Sequence, residues 1–542
     1  MLHFGKTFVC IGEKTLSLFL GKRWSAFSLF LLAVPCLGAQ NVGRSQTTAT
    51  DASLTVAASY ECRPYSPMIF GGFIEHFHRQ VYGGIYAPGS PLSDEMGFRK
   101  DVLAALRELR IPVVRWPGGC FVDGYHWQKA VGAERQPMDD IRWGVREPNT
   151  FGTAEFVEFC RRLGAAPYIC HNGLADIQEM ADWVAYCNQT EGEWAQQRKK
   201  DGAAAPYGVK FWSVGNERGG KAYIDRVRDG AKAMKKIDST VLVTCSGTHG
   251  AGRVDPYLFE TAGDVLDYIS IHQYWIQNFQ EFHTPDYLQC ILLSAEPERF
   301  IHDVVQSLEQ NGRRGKIKLA FDEWNLRSWH HPGFPRNQKA DYDDAETQRL
   351  ISDRDKSLNN QIYTMADALF SASFFNACLR YSDEVTMANI APMVNQTGPL
   401  YADEYGVVRR PHFYTMQLYA NELEKYVVDA LLTSDSLTDG QRSVPTVDAL
   451  VTNSGDGQWV VSLVNRDPEQ SKTCRLQLGD LLPHGRYQAL VLCGDAPDAY
   501  NDREHPDRVV PENRRIRIRR GIVTLPPHSL TLVRIPDSSA AE

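Results

Sequence analysis

No Cys-x-x-Cys pair occurs anywhere in this 542-residue chain, although it carries twelve cysteines. Two of them, Cys10 and Cys36, fall in the N-terminal segment. The other ten are scattered, with Cys120, Cys170 and Cys245 in or beside apolar strands. That spacing excludes both a zinc ribbon and a disulfide framework, and it predicts buried free thiols. Histidines come close together only as His76-x-His78 and His330-His331, without carboxylate or thiolate partners at ligand spacing. No metal and no cofactor is therefore expected. A basic excess is also lacking: the formal net charge is -8, which removes the electrostatic case for nucleic acid as a partner. Nor is a bilayer-spanning run present at the N-terminus. Trp24 to Val34 is mostly apolar but has only eleven residues, against the roughly 20 that a spanning helix needs.

That short run has another reading. It follows Lys22-Arg23 and precedes Pro35-Cys36-Leu37-Gly38-Ala39, whose small residues suit cleavage near Ala39. Residues 1–39 are expected to be a signal peptide, which implies export to a periplasm or the exterior. Gln40 to Asp51 is rich in Ser, Thr, Asn and Gln and reads as a flexible terminus. The chain as a whole, 43% hydrophobic and 23% charged, has the composition of a soluble globular protein. Its length suits one large domain and a smaller one.

The organising stretch is Trp212-Ser213-Val214-Gly215-Asn216-Glu217, an apolar strand that ends on an amide and a carboxylate. Around it the pattern alternates. Strands are expected at Met68–Phe73, Val113–Arg115, Pro167–Cys170, Val209–Gly215, Val241–Cys245, Leu266–Ile271, Ile317–Phe321 and Val385–Ile390. Each is followed by a helical pattern, as where Phe98, Val102, Leu106 and Leu109 share one face. The later helices are read at Phe151–Leu163, Ile177–Tyr186, Tyr223–Ile237, Pro256–Thr261, Arg299–Leu308, Ile362–Ala377 and His412–Ala420. Eight such cycles over residues 67–422 predict an α/β fold, a (β/α)8 TIM barrel. From residue 423 to 542 the pattern becomes short strands separated by turns such as Asn453-Ser454-Gly455-Asp456-Gly457. That is an all-β sandwich, jelly-roll-like. A lone strand at Ser53–Ala58, within residues 40–66, is expected to join it. The one basic run, Arg514 to Arg520, reads as an edge strand with one wet face, charged against pairing with other chains.

A second strand, Lys316 to Phe321, also delivers a carboxylate: Asp322-Glu323-Trp324-Asn325 stands at its end. Barrels present catalytic groups at the C-terminal ends of their strands, and two carboxylates there suit glycosidic bond hydrolysis. One must hold a proton while the other is ionised. Arg115 and Tyr274, near the ends of the second and sixth strands, are placed to keep a nucleophilic carboxylate charged and oriented. Asn216 is placed to hold a sugar hydroxyl. With eleven Trp and 23 Tyr, aromatic stacking on sugar rings is available, although core packing is the default for each.

These residues also carry a resemblance. Phe73-Ile74-Glu75-His76, Arg115 to Phe121, Tyr125-His126-Trp127, Trp212 to Glu217, Ser270 to Tyr274 and Phe321 to Trp324 together resemble glycoside hydrolase family 51, in that family's order. Leu525-Pro526-Pro527-His528-Ser529 is similar to the end of its second domain. The resemblance implies a retaining, exo-acting α-L-arabinofuranosidase with Glu217 as general acid/base and Glu323 as nucleophile. It implies that Glu75, Cys120, Asn172, Asn216 and Tyr274 line the pocket, and Trp143 resembles the family's substrate-facing tryptophan. Arg327 and Gly398 depart from the pattern, standing where some members place a tryptophan and a glutamine that face the substrate. The implied partner is an arabinofuranose-containing oligo- or polysaccharide such as arabinan or arabinoxylan, and the family's frequent oligomers make a homo-oligomer an expectation too.

Structural alternatives stand beside these roles. Glu75 would serve equally in a salt bridge with Arg115, Cys120 as packing in a Gly-Gly turn, Tyr274 and His272 as core, and Trp143 as a loop anchor. Two other functions stay open at this point: a glucan- or xylan-cleaving hydrolase on the same scaffold, and a catalytically silent sugar-binding protein. Asn188-Gln189-Thr190 and Asn395-Gln396-Thr397 match the N-glycosylation pattern.

Overall fold

The computed structural model describes residues 50–140, 142–143, 146–249, 252–276, 285–328, 345, 349 and 358–536. The expected signal peptide and His330-His331 lie outside them. Eight parallel strands close a barrel in sequence order: β1 (Gly71–Phe73), β2 (Val113–Trp116), β3 (Ala166–His171), β4 (Phe211–Val214), β5 (Leu242–His249), β6 (Tyr268–Ile276), β7 (Lys318–Arg327) and β8 (Val385–Ile390). Closure is made by β8 on β1, where Asn389 faces Gly71 and Ile390 faces Gly72. The barrel is the fold the alternation predicts. Its first strand is shorter than the apolar run suggests. Pro67 starts a 3-10 turn, Pro67–Phe70, and the Ser66 side chain accepts a hydrogen bond from the Met68 N–H, so the extended pairing begins only at Gly71.

Helices wrap the barrel because each presents one apolar stripe. Lys100–Glu108, for example, buries Val102, Leu103, Ala105 and Leu106. The helix before β8, Met365–Arg380, is different: fifteen of its residues, Met365 to Leu379, are buried. It is covered on both sides, by the barrel within and by the second domain without. Its start is set by a capping box, Thr364 with Asp367, three residues after the apolar pattern begins. Inside the barrel, Val113, Tyr168, Phe211, Ala320 and Met387 form a separate small core that plugs its lower half.

The second domain packs a four-stranded sheet against a seven-stranded one. Ala52–Val56 lies in the first, antiparallel to Leu431–Ser434 and parallel to Lys472–Leu478. Cys62–Pro64 pairs with Tyr426–Val428 in the second. The sequence pattern predicts one strand over Val427–Leu431, but the run is divided between two. Its first half pairs with Val451–Asn453 in one sheet, and its continuation pairs with Ala52–Thr55 in the other. Leu54, Val56, Val461, Leu476 and Val533 fill the space between the sheets. All ten cysteines among the described residues are free thiols, and seven of them are buried.

Candidate active site

The turn after β4 sets the geometry. Gly215 and Glu217 both adopt positive φ, 74° and 46°. At Gly215 a side chain would meet the Tyr223 ring and the Gly173 backbone, so only glycine fits. A glutamate in the left-handed region costs about 1–3 kcal/mol and persists only where its surroundings hold it. Here Arg218 holds the turn, its guanidinium paired twice at 2.8 Å with Asp123 from the turn after β2. Asp123 also takes Arg142 Nε at 2.6 Å, so one buried carboxylate ties the Glu217 turn to the loop that carries Trp143.

The other carboxylate rests on a bulge. On β6, Ser270 faces Ala320 and His272 faces Glu323, so two steps on β6 span three on β7. This extra residue defeats the strict alternation of side chains and brings Asp322 and Glu323 onto the same guanidinium. Arg115, wholly buried on β2, meets Glu323 Oε1 at 2.6 Å with Nη1 and Asp322 Oδ2 at 3.2 Å with Nε. Its Nη2 donates to Asn216 Oδ1 at 2.7 Å. The Tyr274 hydroxyl donates to Glu323 Oε2 at 2.9 Å. Asp322 also accepts from Tyr168 at 2.8 Å and Ser270 at 2.6 Å. Burial opposes its charge, yet Arg115, His272 and Ser270 together hold its carboxyl below the usual range.

His272 joins the two carboxylates. Its Nδ1 is 2.9 Å from Glu217 Oε1 and 3.7 Å from Glu323 Oε2, and its Nε2 is 3.3 Å from Asp322 Oδ1. Burial works against protonation, but the surrounding carboxylates prevail and raise its pKa to about 10. Near neutral pH it is an imidazolium. The ligand atoms of Glu217, His272 and Glu323 lie within 4.8 Å of one another, near enough to suggest a metal triad. As an imidazolium, His272 offsets the negative charge of the carboxylates around it.

The two glutamates differ in access. The Glu323 side chain is 3% exposed and the Glu217 side chain 20%. Backbone closes in around them at Gly118-Gly119. A Cβ at Gly119 would lie 2.7 Å from Glu323 Oε1, and one at Gly118 would lie 2.3 Å from Glu75 Cγ. Both glycines are required by close approach.

Glu75, just past β1, is buried with the cluster and is not paired with Arg115. Its Oε1 accepts from the N–H groups of Gly119 (2.9 Å) and Phe121 (3.0 Å) and from Trp143 Nε1 (3.0 Å), while its Oε2 has no hydrogen-bond partner among the described residues. Burial, then the charge of Glu323, push its pKa up to about 8. A carboxyl with a raised pKa binds its proton on folding, so its stabilising contribution is complete below about pH 4.5 and is lost as pH rises toward 8. Glu75→Gln should flatten the fall in Tm between pH 6 and 8 by roughly 2 °C in scanning calorimetry. An unchanged slope would place the proton elsewhere.

Of the remaining sequence-derived residues, Cys120 is half-buried, with Asn216 Nδ2 at 3.9 Å from its sulfur. Burial and the charges of Glu217, Glu75 and Glu323 hold it as a thiol. Asn172, at the end of β3, commits its amide to the scaffold: Oδ1 accepts from Leu174 N at 2.8 Å and Nδ2 donates to Tyr125 O at 3.3 Å. Trp143 is buried against Phe77, with ring centroids 4.2 Å apart. Arg327 is a buried strut paired with Asp367 at 2.8 Å. Neither sequon offers a free asparagine. Asn395 is wholly buried, and its amide is held by Arg79 O and Ala402 N. The Asn188 amide is held by Val209 and Asp238. Sequence reasoning left out Asp322, Asp123, Tyr168 and Ser270 from the site. Asp322, beside Glu323, and Ser270, at the head of the Ser270 to Tyr274 motif, had a signal; Asp123 and Tyr168 had none.

Two family models match the chain: the Alpha-L-arabinofuranosidase 1 domain over residues 105–289 and the Alpha-L-arabinofuranosidase C-terminal domain over residues 322–529. The chain is 32% identical over 523 residues to the probable alpha-L-arabinofuranosidase C of Aspergillus niger, covering 89% of this chain and 97% of that one. It is 31% identical over 505 residues to the intracellular exo-alpha-(1->5)-L-arabinofuranosidase of Bifidobacterium longum, covering 86% and 88%. The solved arabinose complex of the alpha-L-arabinofuranosidase from Thermotoga maritima matches with a TM-score of 0.77 at 29% identity, over 90% of this chain and all of that one. The chain belongs to the α-L-arabinofuranosidases of glycoside hydrolase family 51.

Proposed function

We propose that the protein is a retaining, exo-acting α-L-arabinofuranosidase that removes terminal non-reducing arabinofuranosyl residues, with Glu323 as nucleophile and Glu217 as acid/base. The observation that supports the assignment is the spacing of the two glutamates, whose oxygens approach within 4.8 Å. Retaining enzymes hold the pair about 5–5.5 Å apart, whereas inverting ones need roughly 6.5–9.5 Å to admit a water. Glu323, held by Arg115 and Tyr274, attacks the anomeric carbon while Glu217 protonates the departing glycosidic oxygen. The resulting ester removes one negative charge beside Glu217, which favours its anionic form as the base that then deprotonates water. Water attacks the anomeric carbon, and Glu323 leaves as a carboxylate.

The substrates that fit this reading are arabinan, arabinoxylan and their oligosaccharides. The Bifidobacterium longum relative is named for α-(1→5) bonds, so α-(1→5)-arabino-oligosaccharide is the first natural substrate to test. Export is part of the reading on the strength of residues 22–39 alone. The expected result is release of aryl alcohol from an aryl α-L-arabinofuranoside. Release from aryl glucoside or xyloside instead would overturn the assignment in favour of a glucan- or xylan-cleaving enzyme.

A further inference from the structure

The basic run at the end of the chain has a place in the fold that its edge position does not explain. Glu512–Ile518 is the outermost strand of the seven-stranded sheet, antiparallel to Gly485–Cys493. Ile516 and Ile518 turn inward to the sandwich core, so Asn513, Arg515 and Arg517 share the opposite face by the two-residue period of a strand. Across the ladder, Leu490 faces Asn513, Gln488 faces Arg515 and Arg486 faces Arg517. The rows therefore run from apolar through polar to doubly basic. At the apolar end the face meets the barrel: Leu490 packs on the barrel core, and a groove of about 220 Å³ is lined by Glu422, Gln488, Leu490, Asn513, Leu532 and Arg534.

Guarding an edge needs charge on the edge strand only. Here Arg486, on the inner neighbour, stands directly opposite Arg517, an arrangement of like charges that costs stability. Arg486, Arg515, Arg517, Arg519 and Arg520 are all exposed, and among the described residues none of them has a carboxylate within salt-bridge distance. This concentration of cations belongs to a chain whose net charge is -8. Positive charge kept together against both local and global electrostatics is a complement for an anionic polymer. Guanidinium groups set two residues apart along a strand, about 7 Å, match carboxylates repeated along a chain.

We infer that this face binds the carboxylate-bearing, uronic-acid-containing part of the polysaccharide whose neutral arabinofuranosyl branches the barrel cleaves. Gln488 and Asn513 in the adjoining groove are available to sugar hydroxyls. The inference rests on the proposed arabinofuranosidase activity, and the two are tested separately.

The test uses the full chain and the triple variant Arg486→Gln, Arg515→Gln, Arg517→Gln. The polymers are polygalacturonate, its methyl ester, debranched arabinan and a DNA duplex, in affinity electrophoresis at low and high salt. The expected result is retardation by polygalacturonate that salt abolishes, is absent with the methyl ester and arabinan, and weakens about tenfold in the triple variant. Turnover of the aryl arabinofuranoside should stay at the wild-type level in the variant, because none of the three residues belongs to the active site. Equal retardation of wild type and variant overturns the inference. So does binding of DNA without binding of polygalacturonate. Light-scattering evidence that the variant self-associates, with polygalacturonate affinity unchanged, reduces the arginines to edge protection and overturns it as well. Loss of aryl arabinofuranoside turnover in the wild-type chain overturns the activity and leaves the binding result to be read by itself.

Discussion

Glu323→Ala should lower turnover of every arabinofuranoside by roughly 10⁴-fold or more, and azide should restore it with an α-L-arabinofuranosyl substrate giving the inverted glycosyl azide. The loss follows from the role: without the carboxylate, no ester forms at this position. The rescue follows from what stays behind. Arg115 donates to Glu323 Oε1 at 2.6 Å and Tyr274 to Oε2 at 2.9 Å, so truncation leaves a guanidinium and a hydroxyl facing a space the size of a small anion. Azide drawn into that space attacks from the side Glu323 would have used and displaces the leaving group once. One displacement inverts the centre, and product configuration by NMR reads the result. A retained azide product, or none at any azide concentration, would remove Glu323 from the nucleophile's place. Glu323→Gln is the milder comparison: it keeps the shape between Arg115 and Tyr274 but supplies no charge, and it should be as inactive without the rescue.

Much of the scaffold behind that prediction is legible in the residues. Each of the eight barrel strands overlaps an apolar run followed by a helical pattern, because burial on both faces forces such runs. Both glutamates were visible for the same reason, as charges ending those runs. What lay beyond reach has a common cause: it depends on which residues oppose one another across strands. Alternation puts Asp322 and Glu323 on opposite faces, and only the pairing of β6 with β7 shows the extra residue that brings both to Arg115. Val427–Leu431 reads as one strand because hydrophobicity does not record a change of partner sheet. Asp123 carried no signal, for its two arginines are 19 and 95 residues away. His272 was legible as a residue of the site motif, yet its imidazolium character comes from two carboxylates on β7 and a third in the turn after β4.

That imidazolium frames the second large effect. Glu217→Ala should separate substrates by their leaving groups. Dinitrophenyl arabinofuranoside departs without a proton, so its first step should stay within about tenfold of wild type, whereas an arabino-oligosaccharide, whose alkoxide must be protonated, should lose about 10²–10⁴-fold in kcat/KM. The second step loses its base on both, so ester should accumulate, giving a burst of dinitrophenolate followed by a slow steady state. Azide needs no base and should clear that ester from the open side vacated by Glu217, producing a glycosyl azide of retained configuration, opposite to the Glu323→Ala product. The alkaline limb of the kcat/KM profile, which reports the acid in the free enzyme, should vanish with it. His272→Gln gives a contrasting pattern. It leaves Glu217 in place but removes the positive charge 2.9 Å from Oε1, so the limb should persist at a shifted pH and the leaving-group dependence should stay that of the wild type. Uniform loss on activated and natural substrates alike in Glu217→Ala would mean that Glu217 positions the sugar and that another group carries the proton.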